Sequence, residues 1–325
     1  MTLGPEDMID RRRLRAKLGF WRIFALACLA LAILAGPVWI ALGDDRRPLR
    51  ETIARVEISG IITQDQEMLE LIEELQEDER VRGVIVAVNS PGGTTVGGET
   101  LYEAIRELAE LKPVAAEIGA LGASAGYMVA SAADHIVAHQ SSIVGSIGVI
   151  FQYVDASNLL GRIGVDVNAV KSSPMKAEPS PFAPTSPEAR EMIARLVDST
   201  YVWFVDLVAQ RREFSPEEAR ALADGSVFTG RQGLDNGLLD ALGGEAEVRR
   251  WLEEDRDLPA GLAIVDREPE REGGPLSLLG GARASLFAFF GLDPRATSLP
   301  EALARSTAHL DGLLSLWQPY ISDFR

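Results

Sequence analysis

The chain has little histidine, little lysine and almost no cysteine. Of 325 residues three are histidine and one, Cys28, is cysteine, and only 6% are aromatic. A single cysteine excludes an internal disulfide framework and a Cys-rich zinc site, so the fold must stand on its core. Cations are also in deficit: 32 Lys+Arg face 48 Asp+Glu, a formal charge of −16. No large cationic surface is available to track phosphates, which argues against nucleic acid as a partner. Apolar residues are not scarce. With 46% apolar and 25% charged residues the composition is that of an ordinary globular protein, and wholesale disorder is ruled out. The length fits one large domain or two ordinary ones.

A long uncharged run is present near the start. Ile23 to Leu42 comprises 20 residues without a charge, which at 1.5 Å per helical residue matches a hydrocarbon thickness of roughly 30 Å. Arg11, Arg12, Arg13, Arg15, Lys17 and Arg22 precede it against Glu6, Asp7 and Asp10. The positive-inside rule keeps such a flank in the cytoplasm, so the run reads as a single transmembrane anchor with the rest of the chain outside. Without residues 1–22, 26 cations and 45 acids remain, about −19 for everything that follows. A cleaved signal would have a shorter apolar core, and a buried core helix would not be flanked by charges and apolar on every face. Membrane lipid is therefore the expected partner of residues 23–42.

From Arg55 short apolar runs alternate with amphipathic stretches, the order of an α/β domain. Val56 to Ile62 reads as a strand, and Met68 to Leu75 as a helix burying Met68, Leu71, Ile72 and Leu75. Gly83 to Val88 reads as a buried strand ending in the turn Asn89-Ser90-Pro91-Gly92-Gly93. A helix near Glu99 to Leu111, a strand at Val114 to Ile118, a glycine-rich turn and a short helix to Ala133 follow. His135 to Ala138 and Ser146 to Phe151 read as further strands. Ser172 to Pro187 is a Pro/Ser-rich loop, and a long loop in a compact domain is more often functional than accidental. Ser186-Pro187-Glu188 then starts a long helix, with Ser as N-cap and Pro in its first turn. Its inward face is expected to hold Ile193, Leu196, Val197, Phe204, Leu207 and Val208. Ser215-Pro216-Glu217-Glu218 repeats the start signal. The acids from Glu67 to Glu79 read as a solvated helix face rather than a cation site.

Ligands in such sheets gather at strand C-termini, and two glycine-rich turns stand there. Pro91-Gly92-Gly93 lets backbone come close to a ligand and offers N–H groups to an oxyanion; it is neither a Walker loop nor G-x-G-x-x-G. Gly122-Ala123-Ser124-Ala125-Gly126 places Ser124 at a helix start, as a candidate nucleophile. A serine in that place is ordinarily an N-cap. A serine nucleophile also needs a base. His135 and His139 border a strand and His309 lies far downstream, so support for a histidine base is thin. A lysine serves only where burial lowers its pKa; Lys171 and Lys176, at the Pro-rich loop, are the candidates, although a lysine is ordinarily a solvated surface cation.

Several motifs taken together resemble the signal peptide peptidase A (SppA) family of membrane-anchored serine proteases. They are Asn89-Ser90-Pro91-Gly92-Gly93, Gly122-Ala123-Ser124-Ala125-Gly126-Tyr127, Val144-Gly145-Ser146-Ile147-Gly148-Val149, Met175-Lys176-Ala177-Glu178-Pro179-Ser180-Pro181, and Asp224 to Gln232 with Gly237 to Gly244. The resemblance spans roughly Val56 to Gly244. It implies a ClpP/crotonase-like β/α superhelical domain over residues 51–255, between an N-terminal segment (1–22 basic and cytoplasmic, 23–42 the anchor) and a C-terminal extension, 256–325. It also implies a Ser/Lys dyad: Ser124 as nucleophile, Lys176 as general base, Ser146 orienting the lysine, and the backbone N–H groups of Gly93 and Ala125 as oxyanion hole. Lys171 is the alternative base. No cofactor or metal is implied. The implied substrates are apolar peptides, above all remnant signal peptides, cleaved through an acyl-enzyme. The implied assembly is a homo-oligomeric ring in which Ser124 and Lys176 can meet across an interface. The implied location is the bacterial inner membrane, with the catalytic domain on the extracytoplasmic side. The alternative is a catalytically inactive membrane scaffold on the same fold. The apolar pieces Leu286 to Phe290 and Leu313 to Trp317 are expected to occupy a neighbour's cleft or rest on the membrane.

Overall fold

The structure, a computed structural model, describes residues 50–269 and, as backbone, residues 314–316. Ile23 to Leu42, Cys28, Leu286 to Phe290 and His309 lie outside the described residues. Among those described, no helix is long and apolar enough to cross a membrane.

The elements run β1 (Thr52–Ile62), α1 (Gln66–Glu77), β2 (Val81–Thr94), α2 (Thr95–Leu111), β3 (Val114–Ala123), α3 (Ala125–Ser131), β4 (His135–Ala138) and β5 (Ile143–Gly145). Then come α4 (Ser157–Arg162), α5 (Pro187–Arg212), α6 (Pro216–Leu222), β6 (Val227–Thr229), α7 (Gly230–Asp235), β7 (Ala241–Leu242), α8 (Glu245–Glu254), β8 (Ala263–Arg267) and β9 (Leu314–Leu316). The sheet has the order β6-β5-β3-β2-β1-β8, with β4 bridging β3 and β7 and with β9 on β2. Pairing is parallel except for β5 with β6 and β2 with β9. The α/β expectation holds, and the sheet continues past residue 255, because β8 pairs with β1 from Thr52↔Ala263 to Val56↔Arg267.

Strand side chains alternate between two cores, as the two-residue period of a strand requires. Ala54, Val56, Val84, Val86, Ala116 and Ile118 point into the larger core, which α1, α2, α3 and α5 cover. Ile53, Ile85, Ala115 and Val137 point the other way, onto Val248, Trp251 and Leu252 of α8. The four residues expected to face inward on α1 are its buried set. Phe204 of α5 is fully buried in the larger core. Phe204→Ala is expected to lower unfolding stability by about 3–5 kcal/mol; a urea midpoint unchanged from wild type would show that α5 contributes little to the core.

Three expectations are corrected. Pro91-Gly92-Gly93 is the end of β2 rather than a turn: β1 pairs with Gly92 and Gly93, while register shifts near Ser59 and Val88 give proline the irregular position it needs in a sheet. Ser146 to Phe151 is not a strand; the pairing belongs to Ile143–Gly145, because Gly145 (φ 94°) and Ser146 (φ 50°) turn the chain out of the sheet. Leu196 is 48% exposed, since α5 meets the core mainly through its second half, at Phe204, Val205, Leu207 and Val208.

Candidate active site

The sheet topology brings three backbone segments together. Ala123, the last residue of β3, pairs with Gly145, the last residue of β5. Ser124 and Ser146, the next residue in each case, therefore leave neighbouring parallel strands at the same level, and Ser124 N–H donates to Gly145 O at 2.8 Å. β2 lies on the other edge of β3, so Gly93 and Ser146 approach from opposite sides of the β3 end.

Ser124 has φ 58° and ψ −121°, and its side chain makes no capping bond to α3. The ordinary N-cap role of a serine is thus unused. A non-glycine residue in such a conformation costs about 1–3 kcal/mol and persists where its surroundings impose it, typically at functional sites. Small residues impose it here. A Cβ on Gly126 would stand 2.7 Å from Ser90 O, and one on Gly98 would stand 3.0 Å from the Ala125 Cβ and the Met128 Sδ. α3 is thereby pressed against the end of β2 and against α2. Ser90 is buried, and its hydroxyl donates to Gly60 O at 2.6 Å and accepts from Gly92 N–H at 3.0 Å. That bond shapes the glycine segment from within.

Two arginines hold the far end of α3. Arg211 donates to Ser131 O and Ala133 O, each at 2.9 Å, and Arg106 donates to Ala132 O at 2.8 Å. Positive charge at a helix C-terminus satisfies its last carbonyls and opposes the local dipole. Arg106 belongs to α2, which starts two residues after Gly93, and Arg211 to α5, which follows the loop carrying Lys176. Neither arginine was singled out from the sequence, where nothing separates them from surface cations.

A cavity of about 420 Å³ opens beside Ser124, walled by Ser146, Ile147, Val149, Ile150, Tyr201 and Asp224 among others. Tyr201 is fixed by its hydroxyl, which donates to Ala223 O at 2.9 Å. Ser226 hydrogen bonds hold the Asp224 carboxyl below the usual carboxylate range. Ser146 N–H donates to Ser226 O at 2.7 Å, which fastens the second serine to the segment before β6. The walls are chiefly apolar, with one carboxylate at the rim.

The bases are placed as follows. Lys176 lies outside the cavity wall, in an irregular loop and exposed. Its ammonium makes no hydrogen bond or ion pair among the described residues. Lys171 is engaged: its Nζ meets Glu178 Oε1 at 2.6 Å, and this hydrogen bond holds the Glu178 carboxyl low. Lys112 donates to Leu75 O and Asp78 O, at 2.5 and 2.7 Å. Neither His135 nor His139 lines the cavity. His135 stacks on Trp251 at 4.8 Å, and burial pushes its pKa down. Among the described residues no cluster of His, Cys, Asp or Glu could hold a metal ion. Ser124 and Ser146 thus line one cavity, Gly93 lies at the end of the neighbouring strand β2, and Lys176 is displayed on the surface.

The chain is similar to known peptidases. The sequence pattern of peptidase family S49 matches residues 106–259. A Methanocaldococcus jannaschii protein with a protease name is 37% identical over 186 residues, 57% of this chain and 60% of that protein. A Synechocystis protein, also with a protease name, is 35% identical over 204 residues, 62% of this chain and 73% of its own length. An Enterococcus faecium protein named for signal peptide peptidase SppA is 32% identical over 219 residues, 66% of this chain and 62% of its own. The chain therefore covers less than two thirds of the archaeal and enterococcal relatives.

Proposed function

This chain belongs to peptidase family S49, the signal peptide peptidase SppA family, and we propose that it is a serine endopeptidase working through a Ser124/Lys176 dyad. The observation that carries the proposal is Ser124: strained, unused as a cap, and facing a largely apolar cavity that it shares with Ser146. In the proposed reaction the neutral amine of Lys176 takes the Ser124 hydroxyl proton as Oγ attacks the scissile carbonyl carbon. The oxyanion formed accepts from the N–H groups of Gly93 and Ala125. The amine leaving group then takes the proton back from lysine, and water hydrolyses the acyl ester on Ser124. Ser146 supplies a hydroxyl that orients the lysine without adding charge.

Lysine is a base only when desolvated, and an exposed Lys176 is not. We place it in the active site of a neighbouring subunit. In support, the segment that carries it exposes Val154, Leu159, Ile163, Val165 and Val170, of which Val154 is 71% and Val170 fully exposed, an apolar surface suited to burial against another copy. The substrates proposed are apolar peptides, remnant signal peptides foremost. Such substrates suit an enzyme anchored through residues 23–42 in the bacterial inner membrane with its catalytic domain outside the cytoplasm.

The test is labelling by a fluorophosphonate together with the pH dependence of apolar-peptide hydrolysis. Ser124 should be the labelled residue. The rate should rise from neutral to alkaline pH as the lysine loses its proton, since only the unprotonated amine accepts one. Labelling elsewhere, or a rate that falls with pH over that range, would remove the dyad.

A further inference from the structure

We propose that Ser90 is a positioning residue for the oxyanion hole, its buried hydroxyl fixing the segment that carries the Gly93 donor against β1 while its carbonyl packs on the start of α3. The proposal deepens the peptidase reading and rests on it.

Between the Ser59↔Asn89 and Ile61↔Gly92 pairs, β1 advances by two residues and β2 by three. The extra residue makes a bulge on β2, and a bulge re-aims the residues that follow it. It also forfeits ladder bonds. Pro91 has no N–H to offer, and Gly92, at φ 105°, is turned out of the ordinary strand conformation. Ser90 supplies the missing partners from one side-chain atom: its hydroxyl donates to Gly60 O across the bulge at 2.6 Å and accepts from Gly92 N–H at 3.0 Å. Ser90 is 0% exposed and Gly92 is buried, so water does not stand in for the second bond. Pairing with β1 then resumes at Gly93↔Ile62.

The same residue reaches the other proposed donor. Ser90↔Gly122 is the last pair of β2 with β3, and the Ser90 carbonyl faces Gly126, where a Cβ would stand 2.7 Å from that oxygen and 3.2 Å from the Ser90 Cβ. Gly126 directly follows Ala125. One buried residue therefore touches the backbone beside each of the two donors. Donors to an oxyanion act only at about 2.7–3.1 Å from the developing charge, and a misplacement of about 1 Å can cost about 100-fold in rate. Without the hydroxyl, nothing else on the Ser90 side chain holds the bulge in place, and a one-residue slip would direct the Gly93 N–H to the opposite edge of β2.

The experiment compares the full chain with its Ser90→Ala and Ser90→Cys variants on an apolar peptide, the thiol keeping a weak donor and acceptor of similar size. Ser90→Ala should lower kcat about 100-fold with KM changed less than about twofold, and Ser90→Cys should fall between it and wild type. A peptide aldehyde reports on the hole itself, since Ser124 Oγ bonds to its carbonyl carbon and leaves the oxygen to the donors; it should bind Ser90→Ala more weakly by the same factor. The uncleaved peptide should bind Ser124→Ala and the Ser124→Ala/Ser90→Ala double variant equally. A lower urea midpoint with kcat and aldehyde affinity intact would mark Ser90 as merely structural and overturn the proposal, as would a loss confined to KM. Should Ser90→Ala not fold, Ser90→Cys decides on the same readouts. Wild-type protein that neither hydrolyses the peptide nor binds the aldehyde would instead sink the peptidase reading, and this role with it.

Discussion

Ser124→Ala and Lys176→Ala are each expected to lower kcat/KM on an apolar peptide by about 10,000-fold or more, because the members of a nucleophile–base unit fail together. Mixed in equal amounts and allowed to exchange subunits, the two inactive proteins should recover about a quarter of wild-type activity. The reason is geometric. Where the base comes from a neighbour, a site is complete only when the serine is supplied by a Lys176→Ala subunit and the lysine by a Ser124→Ala subunit. Random assembly produces that pairing at one interface in about four for a cyclic arrangement. Were the dyad formed within one chain, no pairing would restore it and the mixture would stay as inactive as its components. The position of Lys176 makes the shared site the expected outcome, since the lysine is exposed and outside the wall of the cavity that holds Ser124. Lys171→Ala serves as the contrast. Its ammonium is engaged by Glu178 at 2.6 Å, so its loss should leave the pH profile of hydrolysis in place.

What the sequence disclosed divides along the range of the interactions involved. α1 was legible because its burial follows from helical spacing alone: Met68, Leu71, Ile72 and Leu75 lie on one stripe and are buried. The start of α5 was legible because Ser186 caps it through its own side chain, accepting from Ala189 N–H at 3.1 Å, with Pro187 next in line. β4 was legible as a short apolar run. Pro91-Gly92-Gly93 was misread as a turn because local propensity favours one, whereas the observed strand depends on β1, 31 residues earlier at the Gly93↔Ile62 pair. Ser146 to Phe151 was misread because Gly145 and Ser146 turn the chain out of the sheet, and Ile147, Val149 and Ile150 then wall a cavity. At the site, residue chemistry alone reached a serine after a glycine turn, a glycine pair at Gly92 and Gly93 offering N–H groups to an oxyanion, and two lysines. That Ser146 stands beside Ser124 depends on the Ala123↔Gly145 register, which no periodicity encodes; the family resemblance singled it out instead. Arg106 and Arg211 were illegible from any direction, because carbonyls at the end of a helix leave no trace in the identity of the residues bearing them.

Gly93→Ala should be among the most destabilising single substitutions available in the described domain, at about 4 kcal/mol or more. A Cβ at this position would overlap the carbonyl oxygen of Ile62 and stand 2.5 Å from its carbon and 2.6 Å from its nitrogen. These are backbone atoms of β1, paired in register with Gly93, so no side-chain rotation can relieve the clash and the two strands must part. Gly60 provides the control. It lies on the same strand two residues from Ile62, with φ 71° and open space around a hypothetical Cβ. Gly60→Ala therefore carries only the strain of a left-handed backbone, about 1–2 kcal/mol. Urea unfolding of both variants would separate steric conflict from conformational strain. Equal midpoints would mean that β1 and β2 are free to separate at Gly93, and the oxyanion hole would then lack a fixed donor. Any Gly93→Ala protein that does fold should bind the apolar peptide yet turn it over far more slowly. Its N–H has moved with the strand, while the cavity walls proposed to hold the substrate side chain stand on the segment after β5, on α5 and on the segment before β6.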